Sequence, residues 1–327
     1  MRNFVMPPTP IWPVDPSAPD PTVVRRAADL IRAGRLVAFP TETVYGLGAN
    51  ALDPAAVAGI YAAKGRPATN PVIVHVADPV AVPAVAATWP DAARQLAERF
   101  WPGPLTLVVP KAEAVPDGVT GGGPTVAVRC PAHPVARALL VAAGVPIAAP
   151  SANRSGELSP TTAAHVLRSL DGKLDAILDG GPCPGGLEST VVDVSGPVVR
   201  LLRPGLITVV QLEAVVGPVE LGPPPAAPGA ALPAPGMLAR HYAPRTALEC
   251  AETAEEAGFL AGLYETAGLK VARLIVTGAP VVAAARLYAD LHALDEAGYD
   301  RIIVTLPPAT DEWRAVRDRL TRAAAEE

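Results

Sequence analysis

Short apolar runs recur along the first two thirds of the chain, and most of them end at a proline or a polar side chain. Runs of this kind are typical of short buried strands. They predict strands at 36–39, 72–76, 105–109, 125–129, 145–149, 175–178, 191–194 and 198–202. Because these runs mix irregularly with helical patterns, the sequence predicts an α/β domain with a mixed twisted sheet and flanking helices.

Helical patterns lie between the predicted strands, at 21–33, 55–63, 91–100, 134–143 and 161–169. The clearest is 55–63, because Asp53 and Pro54 stand at the N-cap and first-turn positions. Gly34 and Gly144 directly follow two of the other segments, as expected for residues that end a helix.

The composition changes after residue 205. Pro, Ala and Gly dominate 206–245, which includes the run PPPAAPGAALPAPG, so this segment should run extended as a linker. Beyond it, helix and strand patterns alternate at 254–267, 271–276, 281–297, 301–306 and 311–325, which predicts a small Rossmann-like α/β unit. We therefore predict an irregular or extended N-terminal arm (1–20), a large α/β domain (21–205), a Pro-rich linker (206–245) and a C-terminal α/β domain (246–327).

Composition and charge narrow the possible functions. The 327-residue chain is 50% hydrophobic but only 4% aromatic, so its core must consist mainly of Ala, Val and Leu. A net charge of −5 argues against a broad basic face for nucleic acid, although a small basic pocket is compatible with it. The three cysteines are widely spaced and indicate neither a disulfide framework nor a zinc site. No apolar run suits a signal peptide or a membrane span, so we expect a cytoplasmic protein.

Familiar catalytic motifs are absent from the sequence. It has neither the GxxxxGK[ST] nor the GxGxxG phosphate-binding pattern. Its five histidines lack the spacing of metal ligands, so we expect no metal held by the protein itself. Ser151 follows a predicted strand but lacks the GxSxG context of a serine hydrolase. Any nucleotide site must therefore be built differently.

Polar side chains collect instead at the ends of the predicted strands. The helix that ends in Lys64-Gly-Arg66 predicts two cations on a loop without local carboxylate partners. The other residues of this kind are Thr125, Arg129, Ser151, Asn153, Ser189 and Arg203. Taken singly, each has an ordinary explanation, such as a turn, a helix cap or a surface ion pair. Together they offer cations and hydroxyls for phosphates and an arginine for a carboxylate, which indicates a site for a nucleotide and an amino acid.

Four uncommon motifs occur in one order: PTETVYGLGANA, a K-x-R pair followed by NPVIVH, AAPSAN-x-SG, and RHYAP. With them the chain resembles the two-domain threonylcarbamoyl-AMP synthases, whose catalytic part is a YrdC-like domain. The motifs cover about residues 20–245, and the C-terminal part matches by order and size. The resemblance implies an Mg²⁺-dependent reaction of L-threonine, bicarbonate or CO2 and ATP that yields threonylcarbamoyl-adenylate and pyrophosphate. The product would serve a separate complex that modifies the tRNA adenosine beside the anticodon, and direct tRNA contact stays open.

The resemblance also implies roles for individual residues. Threonine would be bound by Thr43, His75, Arg129, Ser189 and the backbone near Ala149. ATP would contact Arg66, Asn70, Thr125, Ser151, Ser159 and Arg203, with His241 or Tyr242 of the linker covering the nucleotide. Lys64, Arg66, Ser151 and Asn153 match the family's essential residues. Because a carbamate is hydrolytically fragile, we expect the linker to act as a lid that excludes water.

Two other functions stay open at this point. A YrdC-like domain without adenylate synthesis would bind double-stranded RNA on a concave cationic surface, but the acidic net charge and the few aromatic residues count against it. A carbamoyl-transfer step like that of hydrogenase-maturation proteins is the second, but the chain lacks their acylphosphatase and zinc-finger segments. A regulatory, ligand-binding C-terminal domain is compatible with the synthase.

Overall fold

The computed structural model describes residues 8–223, 234–237 and 240–325. The strands before residue 223 are β1 (Ile11–Pro13), β2 (Val37–Phe39), β3 (Gly46–Asn50), β4 (Ile73–His75), β5 (Leu105–Pro110), β6 (Thr125–Arg129), β7 (Ile147–Ala148), β8 (Ala176–Asp179), β9 (Thr190–Asp193), β10 (Arg200–Arg203) and β11 (Glu220–Leu221). The helices are α1 (Pro21–Arg32), α2 (Pro54–Lys64), α3 (Asp91–Phe100), α4 (Asp117–Thr120), α5 (Pro134–Ala143), α6 (Ala163–Leu170) and α7 (Val209–Val216), with a 3-10 turn at Pro79–Ala84.

These strands form one mixed sheet in the order β1-β8-β2-β3-β7-β4-β6-β5-β9-β10-β11. β4 runs parallel to β6, whereas β5 is antiparallel to β6 and parallel to β9. The carboxyl ends of β4 and β6 therefore lie beside the first residues of β5 and β9. The predicted mixed sheet with flanking helices is confirmed.

The C-terminal domain has its own small sheet. Its elements are β12 (Ala247–Ala251), α8 (Ala254–Thr266), β13 (Val271–Ile275), α9 (Pro280–Glu296), β14 (Arg301–Thr305), a 3-10 turn (Asp311–Trp313) and α10 (Arg314–Ala324). The three strands are parallel, with β14 between β12 and β13. The predicted Rossmann-like unit is confirmed, although the sequence reasoning missed β12.

Both faces of the large sheet are buried. Along β2, Val37 and Phe39 pack with α1 and α5 in one hydrophobic cluster, whereas Ala38 belongs to the cluster on the other face. This alternation follows from the period of two along a strand. Both clusters consist mainly of Ala, Val, Leu and Ile, as the scarcity of aromatic residues predicted.

Local capping places the cationic end of α2. Asp53 accepts hydrogen bonds from the backbone of Ala55 and Ala56, and Pro54 occupies the first turn, as predicted. The helix ends at Gly65, whose left-handed φ of 61° suits a residue without a Cβ. Lys64 is consequently the last residue of α2, and the chain turns sharply before Arg66.

The N-terminal arm, expected to be irregular or extended, contains the extended strand β1, which joins the edge of the large sheet by pairing in parallel with β8. One expectation needs correction. The segment 206–245 does not simply run extended: it contains α7 and β11. Thr208 and Gln211 form a reciprocal capping box at the start of α7, and Leu212 is buried against the core. The proline-rich stretch 224–233 and residues 1–7, 238–239 and 326–327 lie outside the described part of the chain.

Candidate active site

A narrow cavity lies where β4 and β6 end and β5 and β9 begin. It brings together ten of the fifteen predicted site residues: Thr43, Arg66, His75, Arg129, Ala149, Ser151, Ser189, Arg203, His241 and Tyr242. Its free volume is about 40 Å³, enough for a few water molecules but not for a nucleotide. The described linker residues 235–236 and 241–242 form part of its wall.

The residues assigned to threonine meet because of strand register. His75 ends β4 and Arg129 ends β6, and the two are partners in this parallel pair. β7 is antiparallel to β4 on its other side, so Ala149 lies beside Ile73 at the start of β4 and lines the same cavity. Of the polar residues predicted at strand ends, four line this cavity, namely Arg129, Ser151, Ser189 and Arg203, whereas Thr125 and Asn153 do not.

Arg129 already has a carboxylate partner within the chain. Its Nη2 donates to Glu42 Oε1 at 2.6 Å, and its Nε donates to the carbonyl of Gly103 at 3.3 Å. Glu42 also accepts a hydrogen bond from the backbone of Ala132 at 3.0 Å. Burial alone would raise the pKa of Glu42, but Arg129 holds it below its usual value. The ion pair is therefore buried, and it fixes the guanidinium in the cavity wall.

Lys64 is buried behind the cavity. Its side chain is only 3% exposed, and Nζ donates to the carbonyls of Ser151, at 2.6 Å, and of Asn153. Burial, reinforced by the nearby charge of Arg66, lowers its pKa well below the usual value. The sequence predicted two cations without local carboxylate partners, and the structure turns Lys64 and Arg66 inward, where carbonyl and amide oxygens accept their hydrogen bonds. Lys64 thereby ties the end of α2 to the polar loop at 151–153.

Arg66 and Asn70 form a second buried unit. The guanidinium donates to Asn70 Oδ1 at 2.6 Å, to the Asn70 carbonyl at 3.0 Å and to the Pro71 carbonyl at 2.7 Å. Burial lowers the pKa of Arg66 to about 10, so it stays charged at neutral pH. Its remaining surface lines the cavity, whereas Asn70 supports it from behind.

Ser189 and Arg203 are joined across β9 and β10. Arg203 donates to the Ser189 carbonyl from Nε at 3.1 Å and from Nη2 at 3.0 Å. The Ser189 hydroxyl shares a hydrogen bond of 2.7 Å with the hydroxyl of Thr106 at the start of β5. Gly205 allows this close packing, because a Cβ there would lie 2.3 Å from the backbone nitrogen of Thr190.

The linker residues His241 and Tyr242 close the cavity. Both are buried, and neither ring nitrogen of His241 nor the hydroxyl of Tyr242 has a hydrogen-bond partner in the described part of the chain. Tyr242 has a φ of 62°, the only positive φ outside glycine among the described residues, a conformation that costs about 1–3 kcal/mol. Burial lowers the pKa of His241 to about 3, so its ring is neutral. Strained backbone and unpaired buried polar atoms are features that cluster at functional segments.

Four predicted residues lie outside the cavity wall besides Asn70. Lys64 and Asn153 sit behind Ser151, and Ser159 donates its hydroxyl to Glu188. Thr125 is the first residue of β6 and thus lies at the opposite end of this strand from Arg129.

Glu188 lines the cavity, but sequence reasoning passed over it. Its charge is buried and paired with Arg319 of α10 at 2.7 Å. This partner lies 131 positions further along the chain, so no local pattern indicates the pair. The one available signal was its position next to Ser189.

Within the described ranges, His, Cys, Asp and Glu nowhere form a group of three or more that could hold a metal ion. The same part of the chain has no helix with the length and hydropathy of a membrane span.

Known protein families match nearly the full length of the chain. Two family models match: one described as "Telomere recombination" (Sua5, YciO and YrdC) over residues 29–205, and one described as "Threonylcarbamoyl-AMP synthase, C-terminal domain" over residues 207–325. The chain is 44% identical to a threonylcarbamoyl-AMP synthase of Bacillus subtilis, with 94% of each chain covered. It is 43% identical to the one of Pyrococcus abyssi, covering 92% of this chain and 94% of that protein.

Solved structures agree with these sequence matches. The crystal structure of Pyrococcus abyssi Sua5 complexed with L-threonine aligns with a TM-score of 0.90 and 41% identity, covering 97% of this chain and 98% of that chain. Escherichia coli YciO aligns with 61% of this chain at a TM-score of 0.55 and 23% identity, a likeness in fold alone.

Proposed function

The chain belongs to the threonylcarbamoyl-AMP synthase family, and from this premise we infer how its cavity serves the reaction. The enzyme is a nucleotidyltransferase that joins L-threonine, bicarbonate or CO2, and ATP into threonylcarbamoyl-adenylate and releases pyrophosphate. The full-length similarity favours this activity over the RNA-binding alternative. The observation that most supports a shared site is the register pair His75–Arg129, which the large sheet sets beside Ser189.

We assign the β4–β6 edge to threonine. Arg129 has the geometry to bind the α-carboxylate, while Glu42 holds its guanidinium in place. His75 is buried, and burial lowers its pKa to about 3, so its ring is neutral. Its Nδ1 has no partner among the described residues. Thr43, Ser189 and the backbone at Ala149 complete a small pocket with hydroxyl and carbonyl groups.

We assign the rest of the cavity lining to the phosphates. Arg66, Arg203 and Ser151 line it, and Lys64 supports the loop that carries Ser151. Fixed cations in this lining would stabilise the negative charge that builds up during phosphoryl chemistry. Their hydrogen bonds to backbone carbonyls hold them ready, so little reorganisation is needed when ATP binds.

The chemical step needs no side-chain nucleophile. The threonine amine adds to CO2 and loses a proton, which gives a carbamate. A carbamate oxygen then attacks the α-phosphate of ATP, the bond to the β-phosphate oxygen breaks, and pyrophosphate leaves. The protein's contribution is to hold carbamate and α-phosphate in line and to exclude water.

The linker serves as the lid of this site. With about 40 Å³ free, ATP enters only if the segment around His241 and Tyr242 moves away. When the segment returns, its unpaired ring nitrogens and hydroxyl can hydrogen-bond to substrate rather than stay unsatisfied. Residues 238–239, directly before the RHYAP motif, lie outside the described part of the chain.

Mg²⁺ would enter with the nucleotide. Glu188, the carboxylate in the cavity lining, is paired with Arg319, and Glu42 is paired with the lining residue Arg129. The described residues thus offer no carboxylate cage, and we propose that the triphosphate supplies the metal ligands. Bound in this way, Mg²⁺ would neutralise phosphate charge.

We propose a further step outside this chain. The mixed anhydride formed here is reactive, so a separate transfer complex would deliver its threonylcarbamoyl group to the tRNA adenosine beside the anticodon. The net charge of −5 gives no reason to place tRNA binding on this enzyme. We place the reaction in the cytoplasm.

Pyrophosphate release from ATP, Mg²⁺ and bicarbonate, with and without L-threonine, tests the assignment. Lys64→Ala and Arg66→Ala should abolish threonine-dependent release, whereas Lys173→Ala, an exposed lysine beyond α6, should leave it unchanged. Release that ignores threonine would indicate another acceptor. Wild-type enzyme that binds RNA but releases no pyrophosphate would favour the RNA-binding alternative.

A further inference from the structure

Two helices of the C-terminal domain reach the same carboxylate of the catalytic domain. Glu188 accepts hydrogen bonds from Arg319 Nε of α10 at 2.7 Å and from the Tyr288 hydroxyl of α9 at 3.1 and 3.2 Å. Ser159 of the catalytic domain donates to the same carboxylate. All four side chains are buried, so the contact is shielded from solvent.

The remaining contacts of Arg319 also point to the active site. Its Nη2 donates to the carbonyl of Pro204 at 3.0 Å, and its Cζ lies 4.8 Å from the centre of the Tyr242 ring. Glu188 directly precedes Ser189, and Pro204 directly follows Arg203. One guanidinium therefore touches the neighbours of two cavity residues and the ring of a third.

The loop before Ser189 is held against α9 by its backbone as well. A Cβ on Gly186 would lie 2.5 Å from the carbonyl oxygens of Ala284 and Ala285, so the loop lies directly on this helix. Gly186 has a φ of 69° and Gly185 packs on the carbonyl of Glu42. The segment that leads to the threonine pocket is thus held between the two domains.

A buried ion pair is an unusual means of joining two domains. Apolar side chains of similar size often stabilise an interface as well, because burying two charges carries a desolvation cost. The ion pair instead orients the two domains, because the planar guanidinium fixes the positions of all its acceptors. Arg319 is only 1% exposed, and all three of its side-chain nitrogens donate hydrogen bonds: Nε to Glu188, Nη1 to Asp318 and Nη2 to the carbonyl of Pro204.

We propose that Arg319 and Tyr288 are positioning residues of the synthase site, which act through Glu188 on Ser189 and through the aromatic contact on Tyr242. The C-terminal domain is then a working part of the catalytic site. This inference rests on the proposed function, because it assumes that Ser189 and Tyr242 meet substrate.

The chain supplies a matched control for each variant. Arg317 lies on the same helix as Arg319, but its contacts to Glu252 and to the Pro307 carbonyl stay within the C-terminal domain. Tyr264 donates its hydroxyl to Glu249 at 2.7 Å, also within that domain. The test compares Arg319→Met with Arg317→Met, and Tyr288→Phe with Tyr264→Phe.

The measurements are the kcat and KM of threonine-dependent pyrophosphate release, together with the midpoint of thermal unfolding. We expect Arg319→Met to lower kcat/KM for threonine by roughly tenfold to a hundredfold, the range that a displacement of about 1 Å can cause in an active site. Tyr288→Phe should cause a smaller loss in the same parameter, and Arg319→Lys should restore part of the activity lost in Arg319→Met. Both controls should keep wild-type kinetic parameters, even if they unfold at lower temperature.

Different outcomes distinguish a failure of this inference from a failure of the proposed function. If Tyr288→Phe, which removes only a hydroxyl, and Arg319→Lys, which keeps only the charge, lowered the unfolding midpoint but kept wild-type kcat and KM, the contact would be structural and the inference wrong. Equal kinetic losses in Arg319→Met and Arg317→Met would also overturn it. Wild-type enzyme without threonine-dependent release would instead overturn the proposed function.

Discussion

Arg129 and Glu42 form a buried ion pair of 2.6 Å in the cavity wall, so the arginine assigned to the substrate carboxylate already holds a carboxylate of the chain. The two residues are 87 positions apart in sequence and meet because the turn after β2 lies against Arg129 and the segment that follows β6. Glu42 is itself held by the backbone of Ala132 at 3.0 Å. The pair orients the guanidinium before any ligand arrives.

Replacing Glu42 by Gln tests this orientation. The amide keeps the size of the side chain but loses the charge that fixes Arg129, so we expect KM for threonine to rise by roughly tenfold, as when one charge-assisted hydrogen bond is lost. Steady-state pyrophosphate release at varied threonine measures the change. Glu220→Gln, which removes a partner of Arg200 on the outer strand β11, should leave KM unchanged. A lower KM would show that Glu42 competes with the substrate carboxylate.

Two glycine substitutions should have opposite effects on stability. At Gly205 a Cβ would lie 2.3 Å from the backbone nitrogen of Thr190, so Gly205→Ala forces the backbone apart and should destabilise the fold by several kcal/mol. Gly258, inside α8, has open space around its Cβ position. Gly258→Ala should therefore raise the free energy of unfolding by about 0.5–1 kcal/mol. Chemical denaturation of both variants measures the difference, and equal effects would contradict this reading of the packing.

The sequence predicted site residues best where a local signal, such as a helix cap or the end of an apolar run, marks their position. His75 was expected inside the strand 72–76, and in the structure it ends β4. Arg129 ends an apolar run and Lys64 ends a helix with recognisable caps, so the placement of these two residues was accessible from the sequence. The direction of Lys64 was not, because its acceptors at 151–153 lie far along the chain. The sequence showed a cation without a local carboxylate partner, and the fold buries it against backbone carbonyls.

Some structural elements lacked the usual signals. β3 contains Gly46 and Gly48, which disfavour a strand prediction. Gly48 is required there, because a Cβ would lie 2.7 Å from the ring of Phe39. α7 did have a signal, the Thr208 and Gln211 capping box, but the proline-rich composition around it concealed the helix. Arg319 and Glu188 meet over a separation of 131 residues, which no local pattern reports.

Tyr242→Phe should separate stability from activity. The hydroxyl of Tyr242 is buried without a partner in the described residues, and such a group costs about 1–3 kcal/mol. Its removal should therefore keep or raise the thermal unfolding midpoint. If the hydroxyl meets the nucleotide when the lid closes, kcat/KM for ATP should fall by roughly tenfold, since one hydrogen bond in the transition state is lost. Tyr299→Phe, at an exposed position, should change neither quantity.

The domain interface should weaken in mild acid. His165 of α6 and His292 of α9 stack across it, with ring centres 3.9 Å apart. Burial, together with the neighbouring His292, lowers the pKa of His165 to about 3, and burial also lowers that of His292. Because the unfolded chain binds these protons near pH 6.5 and the folded chain does not, the unfolded state is favoured as the pH falls below about 6.5. The contribution of these two histidines to the free energy of unfolding is fully present above about pH 6.5 and declines towards pH 3.

Thermal unfolding between pH 7.5 and pH 5 measures this dependence. His292→Gln removes one of the two stacked rings and relieves the other of a like charge, so its unfolding midpoint should depend less steeply on pH than that of the wild type. Arg168, which lies beside His165 and pairs with Glu296, adds to the repulsion in acid. Arg94→Gln, which removes a surface partner of Asp91 on α3, should keep the wild-type slope. An unchanged slope in His292→Gln would show that the stacked histidines do not govern the acid response.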